Sequence, residues 1–113
     1  MNTATLDDAV FQRMVDIIVR EVDAETIILF GSHARGDARP DSDVDLLIVE
    51  KEPFGALKSR RKESGRLYLA LMDIPLAKDI LLYSREEFDR WKSSPHHVVG
   101  RALREGRVLR DRH

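Results

Sequence analysis

The sequence predicts an α/β (α+β) domain, a small mixed β-sheet flanked by helices. Three observations lead there: short apolar, β-branched runs recur along the chain, segments with helical spacing separate them, and no linker interrupts the short connections. The 113 residues therefore read as a single domain, 1–113, with a core at about 26–110 preceded by a helix at about 6–22.

Thr5, followed three residues later by Asp8, marks the start of the first helix, and Leu6, Val10, Met14, Ile17, Ile18 and Val22 recur along it at helical spacing. The run Thr26-Ile27-Ile28-Leu29-Phe30 stops at Gly31, as a short buried strand does. Gly31 to Asp41 contain two Gly and one Pro and read as a turn, one helical turn and a loop. Asp43 to Glu50 form the second strand. Pro53 and Gly55 break the chain, after which Leu57, Leu67, Leu69, Ala70 and Leu71 mark a second helix to about Met72, interrupted near Gly65 and basic in its first half. Ile74 to Tyr83 is the third strand; Ser84 caps a short helix with Glu87 three residues on, and Pro95 opens a last helix ending near Gly106.

Composition narrows the functional classes. The 19 Lys and Arg nearly cancel the 20 Asp and Glu, leaving a net charge of -1 and no global field that would favour nucleic acid or a membrane surface. Locally, Lys58 to Arg66 and the segment from Arg101 onward are basic, while residues 7–25 are acidic; such runs read as solvated helix faces, or as docking surfaces for an oppositely charged partner. With no Cys, neither a disulfide framework nor a cysteine-held zinc site is available. No apolar run approaches the roughly 20 residues a bilayer span requires. Asp7 and Asp8 stand where a signal peptide would carry basic residues, so a cytoplasmic location is expected.

Most of the chemical information lies in two segments, Gly31-Ser32-His33-Ala34-Arg35-Gly36 and Asp41-Ser42-Asp43-Val44-Asp45-Leu46-Leu47. Strand alternation points Asp43 and Asp45 the same way, with Cα atoms roughly 6.5 to 7 Å apart. Two carboxylates on one face repel unless a cation lies between them, and hard oxygen ligands suit Mg²⁺ or Mn²⁺. A pair of such ions is the clamp used in in-line phosphoryl and nucleotidyl transfer. Asp79, inside the apolar third strand, is the candidate third carboxylate, since an unpaired buried Asp is costly; pairing with Lys78 or an Arg is the alternative. Gly31 lets a backbone approach a ligand closely, and Ser32 adds a hydroxyl and an N–H suited to phosphate. Arg35 and Arg39 are placed to neutralise phosphate, or to tie the loop down through Asp37 or Asp41.

Gly31-Ser32, ten residues, then Asp43-x-Asp45 resembles the signature of the DNA polymerase β-like nucleotidyltransferase superfamily. The fuller form, Gly-Ser-His-Ala-Arg-Gly, six residues, Asp-Val-Asp-Leu-Leu, is similar to the small prokaryotic branch known as minimal nucleotidyltransferases, or MNT proteins. The likeness extends from Thr26 to about Arg110 and includes Asp79 and the closing Gly106-Arg107-Val108-Leu109. It implies the polymerase β-like nucleotidyltransferase fold, with Gly31 and Ser32 holding the nucleoside triphosphate and Asp43, Asp45 and Asp79 as catalytic, metal-binding carboxylates. Two Mg²⁺ ions (or Mn²⁺) and ATP as substrate follow from the same resemblance, as does a role for Asp79 in orienting the attacking hydroxyl. Larger relatives carry a helical domain that builds the acceptor site; little of a 113-residue chain remains for that, so a partner chain is expected to supply it. MNT proteins are often antitoxins paired with a HEPN-type RNase toxin, some of which they inactivate by adding AMP to a tyrosine. Three readings stay open: AMP transfer from ATP to a toxin partner, neutralisation by binding alone, and a catalytic subunit for a small molecule or nucleic acid completed by a separate helical chain. Nucleic acid is not the expected direct substrate.

Other conspicuous residues read as structural. His33 is a loop side chain, and His96 and His97, adjacent at a helix start, do not face one another and should lie toward solvent. Phe88 and Trp91 have the spacing that anchors a helix on a core, and Tyr68 and Tyr83 lie in apolar stretches.

Overall fold

The computed structural model describes residues 3–112, with side chains described from Asp8 onward. The elements in chain order are α1 (Thr3–Glu21), β1 (Ala24–Phe30), α2 (Ser32–Arg35), β2 (Val44–Glu50), α3 (Arg60–Ala70), β3 (Lys78–Ser84), α4 (Arg85–Trp91), α5 (Val98–Glu105) and β4 (Arg107–Asp111). The expected helix start at Thr5 falls inside α1; its capping role and the packing of Leu6 lie outside the described side chains.

The strands form one sheet in the order β3-β2-β1-β4. β1 runs antiparallel to β2 and to β4, whereas β2 and β3 are parallel, with α3 crossing between them. This is the small mixed sheet flanked by helices that the alternation of strand and helix patterns predicts. Period-2 alternation sorts its residues into two layers. Ile27, Leu29, Val44, Leu46, Ile48, Ile80 and Leu82 pack with Phe11, Met14 and Ile18 of α1 and Leu67 of α3. On the opposite face Ile28, Leu47 and Val49 pack with Phe88 of α4 and Val99 and Ala102 of α5. The second layer is the smaller, because two short helices cover it.

Several boundaries differ from the sequence reading. α3 is continuous through Gly65, which sits on its solvent face; Ser59 caps it by accepting from Lys62 N–H, and Leu67 anchors it in the core. One exposed helical Gly costs only about 1 kcal/mol, which packing outweighs. Leu57 lies before α3 and is fully exposed. β3 starts four residues later than expected, since Ile74 closes the turn after α3. α5 starts at Val98 rather than Pro95, with the His97 side chain accepting from Val99 N–H as its cap. β4 was not anticipated: its sequence, Arg107-Val108-Leu109-Arg110-Asp111, reads as a basic tail, and only pairing with β1 makes it a strand. Among the described residues, no helix is long and apolar enough to cross a membrane.

Candidate active site

The register of the sheet sets three side chains in a row. Asp45 lies directly opposite Asp79 in the parallel β2–β3 pair and directly opposite Phe30 in the antiparallel β1–β2 pair. Residues in register share a face, and adjacent strands are about 4.8 Å apart. Asp79, Asp45 and Phe30 therefore stand side by side on the sparsely covered face, where the chain enters β2 and leaves β1.

Asp79 is exposed, not buried as the apolar run around it suggested. β3 is the edge strand, and α4 and α5 cover only the far part of its second face; Ala77 and Asp79 are exposed, while Leu81 and Tyr83 are half-buried. The alternative pairing with Lys78 is absent, because that ammonium donates to the Ile74 carbonyl at 2.7 Å. Asp43, also exposed, immediately precedes β2.

Gly31 closes β1 with φ 74° and ψ -155°, a conformation that favours glycine. A Cβ at this position would overlap the Asp45 carboxylate, with Asp45 Cγ only 3.2 Å away. The Gly-Ser turn and the carboxylate row are thus in direct contact. α2 follows as one helical turn, as the loop composition predicted, and ends at Gly36 in the left-handed region. His33 joins the two motifs: its Nε2 lies 3.2 Å from the Ser42 carbonyl, and its ring meets Phe11 of α1 edge-on. The Ser42 hydroxyl accepts from Arg39 N–H at 2.8 Å, which shapes the loop leading to Asp43. His33 therefore braces the loop. Arg35 pairs with Asp37 at 3.4 Å in solvent, so it ties the loop down as one of its two expected roles requires.

Electrostatics single out Asp45. Burial raises its carboxyl above the usual range; the charges of Asp79 and then Asp43 raise it further, against weaker lowering by His33 and Arg35. The three carboxylates make no ion pair among the described residues. Crowded, unneutralised hard-oxygen donors are the environment a divalent cation relieves. The residues fit such a cation by this chemistry, although no three His, Asp or Glu side chains among the described residues are already gathered at metal-binding distance. The acidic row is open.

Beside Gly31, a cavity of about 220 Å³ opens between the end of β1 and α5. Phe30, Val98 and Ala102 line it, with Arg35, Arg101 and Glu105 at its polar margin. No motif in the sequence marks these α5 residues. The available signal was the spacing of Val98, Arg101, Ala102 and Glu105 on one helical face. His97 also departs from expectation: its ring stacks on Trp91 at 4.5 Å, so it is not turned to solvent. Phe88 anchors α4 in the core as expected, while Trp91 is partly exposed.

A small mixed sheet thus carries a glycine-serine turn against the Asp45 carboxylate, with Asp79 beside it in register. The chain belongs to the nucleotidyltransferase domain family, whose model matches residues 11–109. A protein of Methanocaldococcus jannaschii, provisionally named a protein adenylyltransferase, is 42% identical over 52 residues, covering 46% of this chain and 50% of that protein. The aligned segment thus spans half the length of that relative. A crystal structure from Sulfolobus solfataricus, provisionally described as a nucleotidyltransferase, superposes with a TM-score of 0.57 at 24% identity, covering 93% of this chain and 80% of that one. A toxin-antitoxin crystal structure with AMP-PNP gives a TM-score of 0.56 at 16% identity, covering 88% of this chain and 72% of its counterpart. At these identities the two structures show the shared fold.

Proposed function

We propose that this chain transfers AMP from ATP to a hydroxyl on a protein partner, and that it is the antitoxin which thereby neutralises a cognate HEPN-type RNase toxin. The carrying observation is the register that sets Asp45 beside Asp79 with Gly31 against the Asp45 carboxylate. The adenylyltransferase name of the archaeal relative and the toxin-antitoxin origin of one structural neighbour support the choice of acceptor and setting.

In this reading, Gly31 and Ser32 receive the triphosphate, with the missing Cβ leaving room for phosphate next to Asp45. Asp43 and Asp45, with Asp79 beside them, would hold Mg²⁺ (or Mn²⁺), which when bound neutralises the triphosphate and stabilises the attacking and leaving oxygens. Asp79, at the exposed end of the row, orients the acceptor hydroxyl and takes its proton. The hydroxyl oxygen forms a bond to the α-phosphorus, the bond to the β-phosphate bridging oxygen breaks, and pyrophosphate leaves. Exposure of Asp79 suits this role, because a protein side chain must reach it from outside. Residues 1–113 act as a single domain whose acceptor site is completed by the partner, in the cytoplasm.

Co-expression with the product of the adjacent gene, followed by Mg²⁺ and α-phosphate-labelled ATP, tests this. Label on the partner from the wild type, falling to background in Asp43→Asn with Asp45→Asn, is the expected result. A neutralising complex that forms without label, and equally with the double variant, would show that binding alone suffices.

A further inference from the structure

We propose that the cavity between the end of β1 and α5 is the nucleobase subsite, and that Arg101 and Glu105 are specificity-determining residues that read the edge of the base. This rests on the nucleotidyl-transfer reading and assigns it residues outside the Gly-Ser and Asp-x-Asp motifs.

Three features of the cavity converge on a base. Its position is right: Gly31 lines the cavity and also lies against the Asp45 carboxylate, so a molecule occupying it extends directly into the acidic row. Its floor is right as well. Phe30, Val98 and Ala102 offer apolar surface, and Phe30 is the cross-strand neighbour of Asp45. A flat heterocycle gains from such contact, whereas a ribose or phosphate does not. The margin supplies the third feature. Arg101 carries only donors and Glu105 only acceptors, and they lie one helical turn apart on the face of α5 that borders the cavity. Every nucleobase presents donors and acceptors side by side on its edge, which a donor-only and an acceptor-only side chain can match together.

Neither side chain is committed elsewhere. Arg101 makes no side-chain hydrogen bond or ion pair among the described residues. Glu105 has a 3.9 Å approach from Arg104, with both side chains about half exposed at 46% and 54%. An exposed pair of this kind is weak and yields readily to a ligand. Gly106, directly after Glu105, keeps this end of α5 close to β1: a Cβ there would fall 2.6 Å from Ile28 Cγ2 and 2.8 Å from the Leu29 carbonyl. Helix and strand are thereby held at the spacing that forms the cavity walls.

The test is calorimetric binding, with Mg²⁺ present, of non-hydrolysable adenosine, guanosine, cytidine and uridine triphosphate analogues and of inorganic tripolyphosphate. Wild type is compared with Glu105→Gln, an exposed substitution that leaves packing alone, and with Val98→Trp, which fills the cavity. Glu105→Gln should change the ranking among the four bases by roughly 10-fold or more, since Gln both donates and accepts. Val98→Trp should weaken the best-bound nucleotide by a similar factor while tripolyphosphate binds as to the wild type. Equal weakening of all four nucleotides by Glu105→Gln, or an unchanged ranking, would overturn base reading. Wild type that binds tripolyphosphate but none of the four nucleotides would also overturn it, and failure to bind any of the five would remove the nucleotidyl-transfer reading itself.

Discussion

Gly31 and Gly36 sit five residues apart in one loop and do different work. Both have positive φ, 74° and 85° respectively, yet a side chain at Gly31 would strike the Asp45 carboxylate while nothing lies within 4 Å of a Cβ at Gly36. Gly31→Ala is expected to cost about 1–2 kcal/mol in backbone strain and also to displace the carboxylate, so both the urea midpoint and nucleotidyl transfer should fall. Gly36→Ala should show a comparable loss of stability with transfer retained. Loss of transfer in both variants would show that loop strain, and not contact with Asp45, is what matters at Gly31. Only the first glycine was legible as part of the site from the Gly-Ser motif. That its hydrogen faces a particular carboxylate follows from the β1–β2 register, which pairs Phe30 with Asp45.

At the scale of elements, the exposed edge of β3 is managed by side chains of α3. Ile80 N–H donates to the Tyr68 hydroxyl at 2.8 Å, and Arg60 donates to the Leu82 carbonyl at 2.9 Å. These contacts occupy backbone groups that would otherwise offer a template for another strand. Arg60 also pairs with Glu87 at 2.8 Å and lies over the Phe54 ring, so the basic run of α3 is partly structural. Tyr68→Phe leaves the Ile80 N–H without its acceptor and is expected to cost about 1–3 kcal/mol, with faster hydrogen exchange at the Ile80 amide. An unchanged unfolding midpoint would mean that water replaces the hydroxyl. The apolar neighbours of Tyr68 in the sequence predict packing; the role of its hydroxyl depends on how α3 lies across the sheet edge.

Across the whole molecule, the two ends of β2 carry opposite acid–base situations. Asp45 opens toward solvent at one end, while Glu50 at the other is 1% exposed, with Lys58 at 3.2 Å and one carboxyl oxygen lacking a hydrogen-bond partner. Burial foremost, and the facing Glu63 carboxyl next, raise the Glu50 pKa from 4.5 to about 7 against the opposing pull of Lys58. The folded chain therefore holds a proton that the unfolded chain releases. The stability this contributes is full below 4.5 and is lost as pH rises through about 7. Glu50→Gln, which stays neutral, should gain on the wild type over that interval by an amount on the order of a few kcal/mol, read from unfolding midpoints between about pH 4 and pH 8. A constant difference across that range would mean that Glu50 is already ionised at the acid end. No sequence signal marked this group, since Glu50 simply ends an apolar strand and Glu63 lies within a basic run.

The sequence by itself determined the order of elements as far as α5, the three apolar strands, and the Gly31-Ser32 and Asp43-x-Asp45 motifs with their spacing, because these depend on local patterns of two to ten residues. It also placed Asp79 on the third strand. Tertiary structure decided that β4 is a strand, that β3 is an edge whose Asp79 is exposed, that His97 caps α5 and stacks on Trp91, and that α5 brings Arg101 and Glu105 to a cavity beside Gly31. Each of these depends on which distant segments meet. Pairing partners, edge position and helix coverage are settled by the burial of surface contributed from the whole chain, which no local pattern records.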